Sequence, residues 1–405
     1  MIKYCKISEI CKIFSGNSIN EKIKKEKYSK DKDGIEYIST KDIGYNLKIN
    51  YINGVKIPHG DLDKFRIAPS NTVFICAEGG SAGRKLAISD RQLCFVNKLF
   101  AIVSSEKVLP KFIFYFIQSE NFNKQFKSAI TGLIGGVSLN KFNEFEIPIL
   151  PILVQQRIVA KLDKIFAEID KVIASTKIKT ENLENFFNSY FLFLKTENRS
   201  SWKKKTIGQL CNLMTGGTPS TKEKKYYQNG NIPWLVSGDI NLDIINDCKG
   251  RITELGLKNS NAKFLPINSV MIALNGQGKT RGSVAILNTK ATCNQSLVSI
   301  IPKDPNEIKS EIIYYILKSR YNEIRKLTGD SGNDRRGLNM PIIRKIELFY
   351  PINLSEQNEI IKSSNLILLK LKKINEINLI KINELNFLKQ SILKKAFNGE
   401  LVKAA

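Results

Sequence analysis

Ile207-Gly208-Gln209-Leu210-Cys211 restates Ile7-Ser8-Glu9-Ile10-Cys11 at a distance of 200 positions, and that repetition decides how the chain is built. Self-similarity at a fixed offset marks one structural unit used twice. The match extends outward. Ser15-Gly16 pairs with Thr215-Gly216, and Tyr37-Ile38-Ser39-Thr40-Lys41-Asp42-Ile43 with Trp234-Leu235-Val236-Ser237-Gly238-Asp239-Ile240. Phe112-Ile113-Phe114-Tyr115-Phe116 pairs with Ile312-Ile313-Tyr314-Tyr315-Ile316, Thr131-Gly132 with Thr328-Gly329, and Leu139-Asn140 with Leu338-Asn339. A chain of 405 residues suits two such domains better than one core.

Each half opens with short apolar runs broken by Gly, Pro and Asn, the pattern of a mostly β module. One helical segment interrupts it, 110–127 in the first half and 308–327 in the second. A Pro-containing link follows, at Pro148 and Pro151 or at Pro351. Each half then ends in a stretch without Pro or Gly, 155–195 and 355–397, which reads as a long helix. The resulting layout is α+β: module 1–152, helix 153–197, module 198–353 and helix 354–399.

The helices carry matching heptads. Ile158, Ile165, Val172, Lys179 and Phe186 form one line of the first, and Leu162, Ile169, Thr176, Leu183 and Tyr190 the other. The second repeats them as Ile360, Ile367, Ile374, Lys381 and Leu388, and Ser364, Leu371, Asn378, Leu385 and Ile392. Polar residues break both seams at equivalent places, Thr176 with Asn378 and Lys179 with Lys381, and such breaks fix register and partner. Connectivity makes the expected pair antiparallel. The first helix ends where the second module starts, and the second helix leaves that same module. Forty residues make a rod of about 60 Å, with the modules expected at its two ends, related by an approximate two-fold axis.

Lys and Arg number 63 against 38 Asp and Glu, a formal charge of +25. That excess favours a polyanionic partner through counterion release. Hydrophobic residues at 42% and charged residues at 25% are those of a globular chain. The seven cysteines (Cys5, Cys11, Cys76, Cys94, Cys211, Cys248 and Cys293) form no CxxC pair, so reduced thiols are expected rather than disulfides or zinc. His59 is the single histidine, which leaves almost nothing for a triad or a His-based metal site. Met1-Ile2-Lys3-Tyr4-Cys5-Lys6 holds no apolar signal core, and runs such as 112–117 are too short to cross a bilayer. A cytoplasmic protein without a membrane role is expected.

Gly276-Gln277-Gly278-Lys279-Thr280 resembles the end of a phosphate-binding loop. The first glycine of that motif would fall at Ala273, and a second apolar strand follows where a helix is required. A nucleotide hydrolase built on Lys279 is therefore disfavoured. The repeat supplies a better reading. Glu78-Gly79-Gly80-Ser81-Ala82-Gly83-Arg84-Lys85 holds the equivalent place, so both are Gly-rich basic turns between strands. Glu78 faces Asn275, Gly80 faces Gln277, and Arg84 and Arg281 are expected to be shared. Arg and Lys suit phosphate or guanine, Asn and Gln suit adenine, and Glu accepts from cytosine. The candidate DNA contacts are Glu78, Gly79, Gly80, Ser81, Arg84 and Lys85 in module one, and Asn275, Gln277, Lys279, Thr280 and Arg281 in module two. Asn97-Lys98 with Asn294-Gln295 forms a further equivalent pair, and Arg335 and Arg336 lie in a second loop of module two only. The lysine tract 22–32 reads as a solvated loop. An ordinary hairpin tip is the competing reading of these turns, and a coiled-coil scaffold without sequence-specific DNA binding is the competing reading of the chain. No N-P-P-Tyr/Phe or D-P-P-Y tetrapeptide and no glycine-rich cofactor loop is present, so the chain is read as no enzyme.

Together these residues resemble the specificity subunit of type I restriction–modification systems. The duplicated layout, Ser355-Glu356-Gln357-Asn358-Glu359-Ile360, the loop 275–282 and the ending Leu388-Lys389-Gln390-Ser391-Ile392-Leu393-Lys394-Lys395-Ala396-Phe397-Asn398-Gly399-Glu400-Leu401 carry the likeness. The first copy departs at Val154-Gln155-Gln156-Arg157-Ile158, which lacks the usual Glu, and at Phe187-Asn188-Ser189-Tyr190-Phe191, which lacks the Phe-x-Gly-Glu-Leu ending. The resemblance implies two target recognition domains, each reading one half of a split, asymmetric site in double-stranded DNA. It implies two long helices that space the domains and bind two modification subunits. Those subunits carry S-adenosylmethionine and methylate adenine, and restriction subunits can join to make a nuclease driven by ATP with Mg. This chain itself would hold no cofactor and no metal. Half-sites on one face of the duplex would lie about 34 Å apart. Ile158, Leu162, Ile165, Ile169, Val172 and Leu183 on the first helix, and Ile360, Ile367, Leu371, Ile374, Leu385 and Leu388 on the second, are the expected pairing residues.

Overall fold

The computed structural model describes residues 3–29, 33–132, 135–197, 201–276, 278, 280–328 and 337–401. In the first module β1 (Lys3–Lys6) is followed by β2 (Cys11–Ser15), β3 (Ile35–Ile38), β4 (Val73–Cys76), β5 (Leu86–Ile88), β6 (Leu93–Phe95) and β7 (Leu99–Ser104). Helices α1 (Pro110–Ile117) and α2 (Glu120–Ala129), strand β8 (Glu146–Ile149) and the long helix α3 (Ile152–Glu197) come later in the chain. The second module repeats the order: β9 (Trp202–Thr206), β10 (Cys211–Thr215), β11 (Ile232–Leu235), β12 (Val270–Ala273), β13 (Val284–Leu287), β14 (Thr292–Cys293) and β15 (Leu297–Pro302). Then come α4 (Ser310–Ser319), α5 (Tyr321–Lys326), β16 (Glu347–Pro351) and α6 (Leu354–Phe397).

The described residues group into two units, Met1–Thr176 with Leu379–Ala405, and Lys177–Asn378. Each unit therefore combines one module with parts of both long helices.

Both modules run in the order β2-β7-β4-β5, or β10-β15-β12-β13 with the short strand Ile244–Ile245 added at the edge. The central strand is buried on both faces, and side chains alternate across it. Val73 and Ile75 join the cluster that holds α1, while Phe74 and Cys76 join the cluster beneath β3 and β6. Val270 and Ile272 divide from Met271 and Ala273 in the same way. This explains why the sequence shows a continuous apolar run there rather than an alternation. The module ends are zipped together by β1 on β8 and by β9 on β16.

The helical segment expected at 110–127 is two helices. Ser119 breaks it, its hydroxyl accepting from the Phe122 N–H at 3.3 Å as the cap of α2. The segment at 308–327 breaks likewise, at Arg320. Gly16 and Gly216 confirm the alignment of the copies. A Cβ on either would collide with a carbonyl oxygen, that of Phe95 or of Cys293.

The long helices run antiparallel within each unit. In the first, Lys389 Nζ meets Asp170 at 2.5 Å and Lys161 Nζ meets the Leu401 carbonyl at 3.0 Å. In the second, Asn378 Nδ2 donates to Thr180 Oγ1 at 3.0 Å, so the polar break in the seam is a hydrogen bond between the helices. One expected seam line, Leu162, Ile169, Thr176, Leu183 and Tyr190, does face inward. The other holds only in its first members: Ile158 and Ile360 are buried and Ile165, Val172 and Ile367 half-buried, whereas Lys179, Phe186, Ile374, Lys381 and Leu388 are exposed, and there the inward line is shifted by one residue. Val159, Phe166, Ile173, Thr180 and Phe187 turn inward, and Leu368, Asn375, Ile382, Lys389 and Ala396 do so in α6. Ile374 and Leu388 are consequently exposed, at 42% and 48%, and do not pair. Ile158, Leu162, Ile169 and Ile360 are buried, and Ile165, Val172, Leu183, Ile367, Leu371 and Leu385 half-buried.

Candidate nucleic-acid interface

Ala77 gathers three loops of the first module onto itself. Its N–H donates to the Lys98 carbonyl at 2.9 Å, and its own carbonyl accepts from the Val137 N–H at 3.0 Å. The turn after β4, the turn before β7 and the segment after α2 are thereby stitched at one residue. Leu274 does the same in the second module, donating to the Ser296 carbonyl at 2.9 Å and accepting from the Leu338 N–H at 2.9 Å. The candidate loops, scattered through the sequence, form one cluster per module.

Glycine permits the close approach. Gly136 lies against the turn so closely that an added Cβ would be 3.2 Å from the Ala77 carbonyl oxygen. At Gly337 an added Cβ would run into Asn275 Oδ1 and lie 3.0 Å from the Leu274 carbonyl oxygen. A further bond in module one, Gly79 N–H to the Gly135 carbonyl at 2.7 Å, reinforces the join.

Glu78, Gly80, Arg84, Asn97 and Lys98 are exposed, and Gly79, Ser81 and Lys85 half-buried. Tyr45, not singled out from the sequence, completes this surface. It is 62% exposed. Its hydroxyl shares a hydrogen bond with Ser81 Oγ at 3.3 Å, and its ring lies 5.8 Å from the Arg84 guanidinium carbon and 5.4 Å from Lys85 Nζ. Cations at that range are attracted by the ring face. Lys85 Nζ also donates to the Thr40 carbonyl at 2.8 Å, fixing its stem. Nothing in the local sequence pointed to Tyr45, which lies 36 positions from Ser81.

In module two Asn275 and Gln295 are exposed and Thr280 and Asn294 half-buried. Gln277, Lys279, Arg335 and Arg336 lie outside the described residues. Arg281 is buried, at 7% exposure. The expected equivalence of Arg84 and Arg281 is corrected by strand pairing. Ile75 faces Leu86 and Ile272 faces Val284, so the second turn is one residue longer. Arg84 sits one residue before the end of its turn, where the second module has Gly282. The same insertion shifts the later pair: Asn97 corresponds to Gln295, not Asn294. Their side chains confirm it, accepting from Ser18 Oγ and Thr218 Oγ1 at 2.6 Å each. β13 rather than a helix follows this turn, so the helix N-terminus that a phosphate-binding loop requires does not follow Lys279-Thr280.

Burial pushes the thiols of Cys11, Cys94, Cys211 and Cys293 up to about 12, which makes them apolar filling rather than nucleophiles. All seven cysteines are free. Among the described residues no cluster of His, Cys, Asp and Glu is placed to hold a metal ion, and no helix is long and apolar enough to cross a membrane.

A family model described as the type I restriction modification DNA specificity domain matches residues 2–185 and again 199–388. The chain is similar to the EcoR124I/EcoR124II specificity subunit of Escherichia coli, 27% identical over 211 residues, or 52% of this chain and 50% of that protein. It is also similar to the MjaIX specificity subunit of Methanocaldococcus jannaschii, 29% identical over 183 residues, or 44% of this chain and 40% of that protein. The matches thus span about half the length of these curated relatives, or less. A solved structure described as the basis of complex assembly and conformational transition of the type I R-M system shares the fold, with a TM-score of 0.74 over 98% of both chains at 17% identity.

Proposed function

Because this chain belongs to the family of type I restriction modification DNA specificity domains, which it contains twice, we propose that it is the DNA sequence-specificity subunit of a type I restriction–modification enzyme. Each module reads one half of a two-part, asymmetric duplex site. The observation that carries this reading is the three-loop cluster, built on the same backbone bonds at Ala77 and Leu274 while its side chains differ. A constant scaffold with divergent polar groups is what two readers of different sequences require. In module one Arg84, Lys85 and Lys98 supply phosphate or guanine contacts, Glu78 and Asn97 base-edge contacts, and Tyr45 an exposed aromatic face. In module two Asn275, Thr280, Asn294 and Gln295 serve similarly, and Gln277, Lys279, Arg335 and Arg336 are the further candidates that the sequence supplies. Arg281 acts from within the turn, shaping it rather than touching the duplex.

On this reading the chain performs no chemistry. Two modification subunits supply S-adenosylmethionine-dependent adenine methylation, and restriction subunits, where they join, supply ATP- and Mg-dependent cleavage, in the cytoplasm. The long helices are the docking surface. Phe186, Leu192 and Phe193 on α3 and Leu366, Leu369 and Phe387 on α6 are all more than half exposed, and apolar groups left so uncovered mark interaction surfaces.

The test is a map of modified adenines in cells with and without the gene. A gapped two-part motif, methylated on both strands and lost on deletion, is expected. Absence of duplex binding in a gel shift by the purified complex would leave a scaffold role instead.

A further inference from the structure

Gln155 and Gln357 are buried completely, and each makes the same three hydrogen bonds. Gln155 Oε1 accepts from the Leu109 N–H at 2.9 Å, while its Nε2 donates to the carbonyls of Lys107 at 3.0 Å and Leu150 at 2.8 Å. Gln357 Oε1 accepts from the Lys309 N–H at 3.0 Å, and its Nε2 donates to the carbonyls of Glu307 at 2.9 Å and Pro351 at 3.0 Å. The amide, both of its N–H groups used, fastens the first turn of each long helix to the loop entering α1 or α4 and to the end of the preceding strand. Two turns further on there is a second tie. Tyr115 OH donates to Asp163 Oδ1 at 2.6 Å, and Tyr315 OH donates to Asn365 Oδ1. Carboxylate has become amide, yet the acceptor oxygen is kept.

One tie lets a helix swivel; two ties on one face fix its direction and its rotation. We infer that Gln155 with Asp163, and Gln357 with Asn365, are positioning residues that set the angle at which each long helix leaves its recognition module, and thereby the number of base pairs the protein accepts between its half-sites. This inference rests on the reading of each module as the reader of one half-site. The lever is sensitive. A turn of about ten degrees at the joint moves a point some 30 residues along the helix by roughly 8 Å, more than two base-pair steps.

The experiment uses the assembled methyltransferase and a plasmid library. The wild-type half-sites are held constant and the intervening bases run from two fewer to two more. Gln357→Met and Tyr315→Phe each loosen one tie. Tyr315→Phe is expected to raise methylation at off-length spacers, relative to the native spacer, by about fivefold, the equilibrium equivalent of one lost hydrogen bond, and Gln357→Met, which loses three, by at least as much, with half-site bases unchanged. Asp163→Asn, which keeps the acceptor, retains the wild-type spacer profile, and Asp163→Leu broadens it. An unchanged spacer profile with lower total methylation overturns the inference, because loss of stability alone has that effect. Should Gln357→Met not fold, Tyr315→Phe and the Asp163 pair decide the matter. A wild-type complex that methylates no two-part motif overturns the underlying reading and the inference with it; an unchanged profile around an intact motif overturns only the clamp.

Discussion

Leu338 donates its backbone N–H to the Leu274 carbonyl at 2.9 Å, and Val137 repeats that bond to Ala77 in the other module at 3.0 Å. The bond joins segments sixty or more positions apart in each copy. It ties separate loops together through the backbone, which leaves their side chains free to differ.

Arg84 and Arg281 then separate a surface contact from a structural one. Arg84 is exposed and Arg281 buried. Arg84→Ala and Lys98→Ala should each weaken duplex binding and make the dependence of log K on log salt shallower by about one. Arg281→Ala should leave that slope unchanged and lower the thermal midpoint, since it empties a packed position. Fluorescence anisotropy across a salt series, beside thermal unfolding, checks both. A shallower slope for Arg281→Ala would return that residue to the interface.

The helix seams give a sharper contrast. Phe187 is 3% exposed and its neighbour Phe186 57%. Phe187 packs against Phe191 and Tyr315, with ring centroids 5.2 and 6.0 Å away. Phe187→Ala should cost about 3 kcal/mol of stability, and Phe186→Ala no more than about 0.5 kcal/mol. Urea unfolding measures both. Equal losses would restore the seam through Phe186.

The duplication, the strand–turn–strand modules and the long helices were legible because each leaves a periodic or repeated trace. The seam was not fully legible because its apolar residues come in adjacent pairs: Ile158-Val159, Ile165-Phe166, Val172-Ile173 and Phe186-Phe187. Either member satisfies a heptad, and the choice falls to tertiary packing. The extra residue in the turn of module two was hidden for a similar reason. Glycines at both ends allow an alignment without a gap, and only the pairing of Ile272 with Val284 reveals the insertion. Tyr45 reaches Ser81 through the fold alone.

Gly16 and Gly216 test the equivalence of the modules. Each would place an added Cβ inside a backbone carbonyl, which cannot rotate away as a side chain can. Gly16→Ala and Gly216→Ala should each destabilise by about 2 kcal/mol through forced backbone movement. Thermal unfolding checks this. A neutral outcome at one site alone would show that the two turns are not built alike.

Glu307 supplies the pH dependence. Its carboxylate accepts from Lys205 Nζ at 2.5 Å and from Tyr350 OH at 2.6 Å, and these bonds hold its titration below the usual carboxylate value. A group whose folded value is depressed stabilises the fold above its unfolded value, about 4.5, and that contribution fades as pH falls through the folded value. The network also braces the segment whose carbonyl holds Gln357. Glu307→Gln should therefore lower the unfolding midpoint at pH 7, and the gap to wild type should narrow as pH drops below the carboxylate range. Paired melting curves between pH 7 and pH 3 measure that gap. A gap that stays constant would mean that the Lys205 and Tyr350 bonds do not depend on the charge of Glu307.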